Sequence, residues 1–75
     1  MIENKVLEIL CDYNGLRRHE VHLEDTFDDL AMDSLDFIET IMKCESEFNI
    51  SIPDEACVKI KKVQDLVNYI KEHAA

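Results

Sequence analysis

One glycine and one proline, Gly15 and Pro53, are all that punctuate 75 residues. A small β fold needs a turn every few residues, and these two residue types are the strongest turn formers. Here aliphatic residues run along the whole chain, and hydrophobic residues make up 47% of it, enough for a small core. The composition therefore favours helices over a turn-rich sheet, in one domain over residues 1–75. That length is near the lower limit for folding without a metal or disulfides.

The apolar spacing marks the helices. Ile2, Val6, Ile9, Leu10 and Tyr13 recur at helical intervals, and Asn14-Gly15 supplies a C-terminal stop, so a first helix spans about 2–13. Residues 16–33 are irregular and acidic, with Leu16, Val21, Phe27 and Leu30 spaced as anchors that pin a long loop to a core. A loop of this length in a small domain is usually functional. Asp33, with Asp36 three residues on, reads as a capping box, so a second helix runs from Ser34 to about Phe48. After an extended stretch, Pro53 opens a short third helix over about 54–60. Val63, Leu66, Val67 and Ile70 form the stripe of a fourth helix in "VQDLVNYIKEHAA", with Lys71 and His73 suited to its C-terminal dipole. The expected fold is all-α: a small four-helix bundle of three main helices and a short third one, with a long loop between helices one and two.

Charge narrows the function. Seventeen acids against eight bases give a net charge of −9, which argues against nucleic acid, whose phosphates need a basic surface. It favours protein partners with basic patches, because complementary fields speed encounter. Cys11, Cys44 and Cys57 lack C-x-x-C spacing and read as small hydrophobes in a reducing cytoplasm. The start, "MIENKVLEIL", has early acids and no signal-peptide core, and no segment approaches the roughly 20 apolar residues of a membrane span.

Helix two carries two stripes. At roughly 100° per residue, Phe37, Ile41, Cys44 and Phe48 fall on one narrow line, the ordinary core-facing pattern. Leu35, Ile38 and Met42 lie on a second line, roughly 120° around, bordered by Asp36, Glu39, Glu45 and Ser46. A central helix packed on both sides would give two such stripes. Packing alone would not need the flanking acids, however, and the second stripe begins beside Ser34. An apolar strip edged with acids suits docking to a basic protein surface.

Ser34 itself has two readings. Serine is common as a helix cap. A hydroxyl at a helix start is also a favourable place for a phosphate ester, next to unpaired N–H groups and the positive dipole end. The wider pattern weighs for the ester. "DSL" at 33–35, "EFNISIPDE" at 47–55 and "VQDLVNYI" at 63–70 stand in order, with Phe27 and Leu30 as loop anchors. This set, covering essentially the whole chain, closely resembles the acyl carrier proteins. The resemblance implies that Ser34, with Asp33 before it, is the attachment site of 4'-phosphopantetheine, transferred from coenzyme A by a Mg²⁺-dependent phosphopantetheinyl transferase. It further implies a monomeric, cytoplasmic carrier of acyl groups as thioesters, sheltering them between its helices and catalysing nothing itself. Its partners would be fatty acid or polyketide synthesis enzymes, met through Asp33, Asp36, Glu39 and Glu45 and the apolar Leu35, Ile38 and Met42.

The chain departs from that pattern at a few positions. Ala31-Met32 replaces a loop that often holds glycine, Lys43 interrupts the acidic face, and Ser46 stands where an acid is usual. Lys62 occupies a position that often holds a threonine cap, a loss of roughly 1 kcal/mol. Val58 is apolar where a charge is usual, either extending the docking strip or lining the acyl pocket. These differences leave open a specialised lipid, polyketide, D-alanyl or peptidyl pathway, although the Gly-Gly-x-Ser-like site usual in peptidyl carriers is absent. Other classes fit worse. Counted from Asp25, an EF-hand would need a sixth-position glycine and a twelfth-position glutamate, and Leu30 and Asp36 stand there. His19 and His22 lack further ligands at zinc spacing, so no metal site is expected. The remaining rival, an acidic helical adaptor without a cofactor, would leave Ser34 unmodified.

Overall fold

Helices form where the apolar periodicity puts them, in a computed structural model that describes residues 1–74. Ala75, the end of the fourth helical pattern and of the expected domain, lies outside them. The elements are α1 (Ile2–Asn14), α2 (Ser34–Phe48), α3 (Asp54–Cys57) and α4 (Val63–His73), with a 3₁₀ turn at Arg18–Glu20 in the long loop. The fold is the small all-α bundle expected, and α1 packs on both α2 and α4. Gly15 ends α1 in the left-handed conformation (φ 64°), and Asn49 does the same for α2 (φ 54°).

Two expectations need correction. The third helix is a single turn, Asp54–Cys57, rather than 54–60. Beyond it Lys59 N–H donates to Ala56 O and Ile60 N–H to Cys57 O, tightening the chain into turns that bury Ile60 and bring the next residues to the loop. Tyr13 does not join the core; it is 54% exposed, with the Lys43 ammonium 5.6 Å from its ring centroid. Leu7 and Cys11 are buried instead. The single-stripe pattern missed them because α1 is covered on two sides, by α2 and α4 and by the 3₁₀ turn of the returning loop.

The core draws on every main helix. Val63, Leu66, Val67 and Ile70 of α4 are fully buried, as are Val6 and Leu10 of α1 and Cys44 of α2. Thr40 is the one buried polar side chain among the described residues. Its hydroxyl donates to Asp36 O (2.9 Å) and accepts from Asn14 Nδ2 (3.0 Å), tying α1 to α2 with no polar group left unpaired.

The long loop is locked to the start of α4. Gln64 N–H donates to Leu23 O (2.9 Å), Val63 N–H to Asp25 O (3.0 Å), and Thr26 pairs with Lys62 in an antiparallel bridge. The Asp65 carboxylate accepts from both Lys61 and Lys62 N–H at 3.0 Å. Lys62 makes no side-chain cap, yet the loop carbonyls take the orphan N–H groups of Val63 and Gln64, the second being one that a threonine cap would serve. Val21 and Phe27 are buried as anchors, Leu16 and Leu30 half-buried, and Leu23 joins them.

Ala31 sits at φ 59°, where an L residue is strained by about 1 kcal/mol or more and glycine is not. Ala31→Gly is therefore expected to raise Tm by a few degrees, with the gain limited by glycine's greater unfolded-state entropy. Ala31→Val should lower it, because a β-branched residue fits this region worst. A thermal melt of the two variants checks this; a lower Tm for the glycine variant would contradict it.

Candidate functional site

The start of α2 is built by backbone turns. Leu30 and Met32 N–H both donate to Phe27 O (3.2 and 3.1 Å), folding 27–32 into a tight turn that buries Met32. Asp33 follows in extended conformation, its Oδ1 accepting from Asp36 N–H (2.9 Å). Asp36 Oδ2 in turn accepts from Asp33 N–H (3.2 Å), completing the capping box. The cap is thus Asp33. Ser34 stands at the first helical position, exposed, and its hydroxyl makes no hydrogen bond among the described residues. The reading of Ser34 as a helix cap is displaced by this geometry. The N–H groups of Ser34 and Leu35 are also without protein acceptors among the described residues.

Ser34 opens onto two clefts, and Phe37 lines both. The first, about 390 Å³, runs toward the loop past Phe27, Met32, Ile60 and Lys61. Phe27 and Phe37 meet edge-to-face there, with centroids 5.0 Å apart. The second, about 560 Å³, lies between α2 and the α3 segment, with buried Ile41 and Ile52 among its lining. Ile38 and Met42 line it from α2, and Val58 from beyond α3. Val58 is exposed (66%) and also lines this cleft.

The second stripe of α2 is outward-facing. Leu35, Ile38 and Met42 are exposed by 62%, 51% and 59%. Glu39 is exposed and Asp36 half-buried in the capping box. Glu45 is half-buried, and its Oε2 accepts from Ile52 N–H at 2.7 Å, so this acid braces the segment leading to α3. The sequence pattern treated Glu45 as surface only, because its partner lies across a turn that periodicity does not define.

The thiols are held protonated. Burial pushes the Cys44 thiol up to about 12, reinforced by Glu45 and Glu47. Burial also raises Cys11 and Cys57, the latter helped by Asp54 and Glu45. None offers a thiolate nucleophile near neutral pH. His22 is exposed and faces Asp25 at 3.6 Å.

Residues 4–70 match the family model described as the phosphopantetheine attachment site. An acyl carrier protein of Rickettsia bellii (strain OSU 85-389) is 48% identical over 73 residues, covering 96% of this chain and 90% of that protein. The chain belongs to the acyl carrier protein family. An acyl carrier protein of Clostridium acetobutylicum (strain ATCC 824) is 47% identical over 74 residues, covering 97% of this chain and 96% of the relative. A second one from R. bellii (strain RML369-C) is 47% identical over 73 residues, 96% of this chain and 85% of the relative. Phosphopantetheine is the cofactor of this acyl carrier protein family member. The start of α2 fits such a group: a free hydroxyl to esterify, unpartnered N–H groups beside it, and clefts on either side.

Lys61 is a cleft-lining residue that sequence reading missed. It lines the loop-side cleft with Ser34, held to the loop by its own carbonyl, which accepts from Phe27 N–H at 3.4 Å.

Proposed function

We propose that this acyl carrier protein holds acyl intermediates of fatty acid biosynthesis as thioesters on a phosphopantetheine arm attached to Ser34, as one domain over residues 1–75. The observation that carries the reading is the exposed Ser34 hydroxyl, left free because Asp33 does the capping. A phosphopantetheinyl transferase, with Mg²⁺, would move the group from coenzyme A to Ser34 Oγ: the hydroxyl loses its proton as its oxygen bonds to phosphorus, and the diphosphate P–O bond breaks with adenosine 3',5'-bisphosphate leaving. When bound, the arm supplies a terminal thiol that forms thioesters with acyl groups. The protein's own residues do the rest. Asp33 and Asp36 fix the first turn of α2 so that Ser34 stays presented. The apolar cleft between α2 and the α3 segment offers shelter for an acyl chain. The protein catalyses no step; its raised thiols support that reading.

Leu35, Ile38 and Met42 form the apolar part of the docking surface, with Asp36, Glu39 and Glu45 steering basic patches of the transferase and the synthesis enzymes. Handover must be brief, which suits a small interface guided by charge. The carrier works as a cytoplasmic monomer.

The test is to load the protein, charge it with an acyl group, and follow elongation by purified fatty acid synthesis enzymes. Ile38→Glu should lower kcat/KM with those enzymes about tenfold or more, the loss of one central apolar contact. Its Tm should stay within a few degrees of the parent, since Ile38 is half-exposed. Unchanged kcat/KM would remove α2 from the docking surface. An acylated protein that none of these enzymes elongates would point to another pathway.

A further inference from the structure

Ser34 is surrounded by negative charge. Asp33 precedes it, Asp36 follows two residues on, and Asp28 lines the loop-side cleft with it. The cleft on the α3 side carries Glu45 and Asp54. A phosphodiester on Ser34 would add one more anion to this group, and like charges at close range repel. Lys61 is the one base among the described residues that line either cleft. It is exposed, and none of the ion pairs among the described residues engages it. Its backbone N–H is held by Asp65, and its neighbour Lys62 pairs with Thr26, so the base of the side chain is fixed beside the cleft. Lys59 and Lys62, close in sequence, line neither cleft.

We propose that Lys61 binds the phosphodiester of the Ser34-linked arm, holding it on the loop side of α2 and offsetting the surrounding aspartates. The ligand class is a phosphodiester monoanion, for which a lysine ammonium serves as a mobile point charge. The inference rests on the attachment to Ser34 proposed above. It also divides Lys61 itself: its backbone carbonyl accepts from Phe27 N–H (3.4 Å) and joins the loop, while its side chain serves the arm.

The experiment uses protein with labelled lysines, in apo form and after phosphopantetheinyl loading verified by intact mass. On loading, the side-chain ε resonances of Lys61 should shift, while those of Lys59 and Lys62 stay in place. The ³¹P resonance of the loaded protein should move in Lys61→Gln and return in Lys61→Arg, with both effects weakening as salt is raised. Failure to gain the phosphopantetheinyl mass would overturn the attachment and this inference together. Successful loading with Lys61 resonances unchanged, and a ³¹P signal identical in Lys61→Gln, would overturn this inference alone. The substitution is at an exposed side chain, so folding is expected to survive it.

Discussion

Leu66→Ala is expected to destabilise the protein by about 3 kcal/mol, from the lost transfer energy and the cavity left behind. Leu66 is fully buried in the middle of α4, on the stripe with Val63, Val67 and Ile70, where α4 meets α1. A chain of this size has roughly 4–11 kcal/mol to lose in total, so one such deletion removes a large share of it. Each kcal/mol shifts Tm by about 4–8 °C in a domain this small, which puts the expected fall at more than 10 °C. Met42→Ala is the matching control. It removes a side chain of similar size from α2, but that side chain is 59% exposed, and its Tm should move by only a few degrees. Thermal melts followed by circular dichroism compare the two. Equal Tm shifts would mean that the division between the buried core and the exposed stripe of α2 is wrong.

That division was largely legible in the sequence, because it depends on residues three and four apart on one helix. Phe37, Ile41, Cys44 and Phe48 turn inward as their spacing implies, and Leu35, Ile38 and Met42 turn outward. The capping box was legible for the same reason: Asp33 and Asp36 are close in the chain, and their reciprocal hydrogen bonds form locally. What escaped depends on distant segments meeting. Leu7 and Cys11 are buried because the loop returns over α1, and nothing in the spacing of α1 records that. The loss of a cap at Lys62 looked costly, yet the carbonyls of Leu23 and Asp25, donated by a loop far back in the chain, take its place. Glu45 and Lys61 have the same origin. The first is drawn inward by Ile52 N–H, and the second is brought to the cleft that Ser34 lines as its carbonyl accepts from Phe27 N–H. Ala31 is an intermediate case: a missing glycine was visible, but only the φ of 59° gives it an energetic meaning.

Ser34→Ala should abolish phosphopantetheinyl loading while leaving the fold intact. The hydroxyl is exposed and makes no hydrogen bond among the described residues, and the helix cap belongs to Asp33. Removing it therefore costs the helix little, and alanine at the first helical turn is a good helix former. An adaptor that used this surface without a cofactor would be indifferent to the change. The two accounts thus differ in a single atom, and that atom's chemistry can be weighed directly. The decisive measurement is the intact mass of wild type and Ser34→Ala after incubation with coenzyme A, Mg²⁺ and a phosphopantetheinyl transferase, with circular dichroism on both. The expected result is one phosphopantetheinyl addition on the wild type, none on the variant, and matching helical spectra. A wild type that gains no mass, or a variant that gains as much, would contradict the assignment of Ser34 as the attachment site.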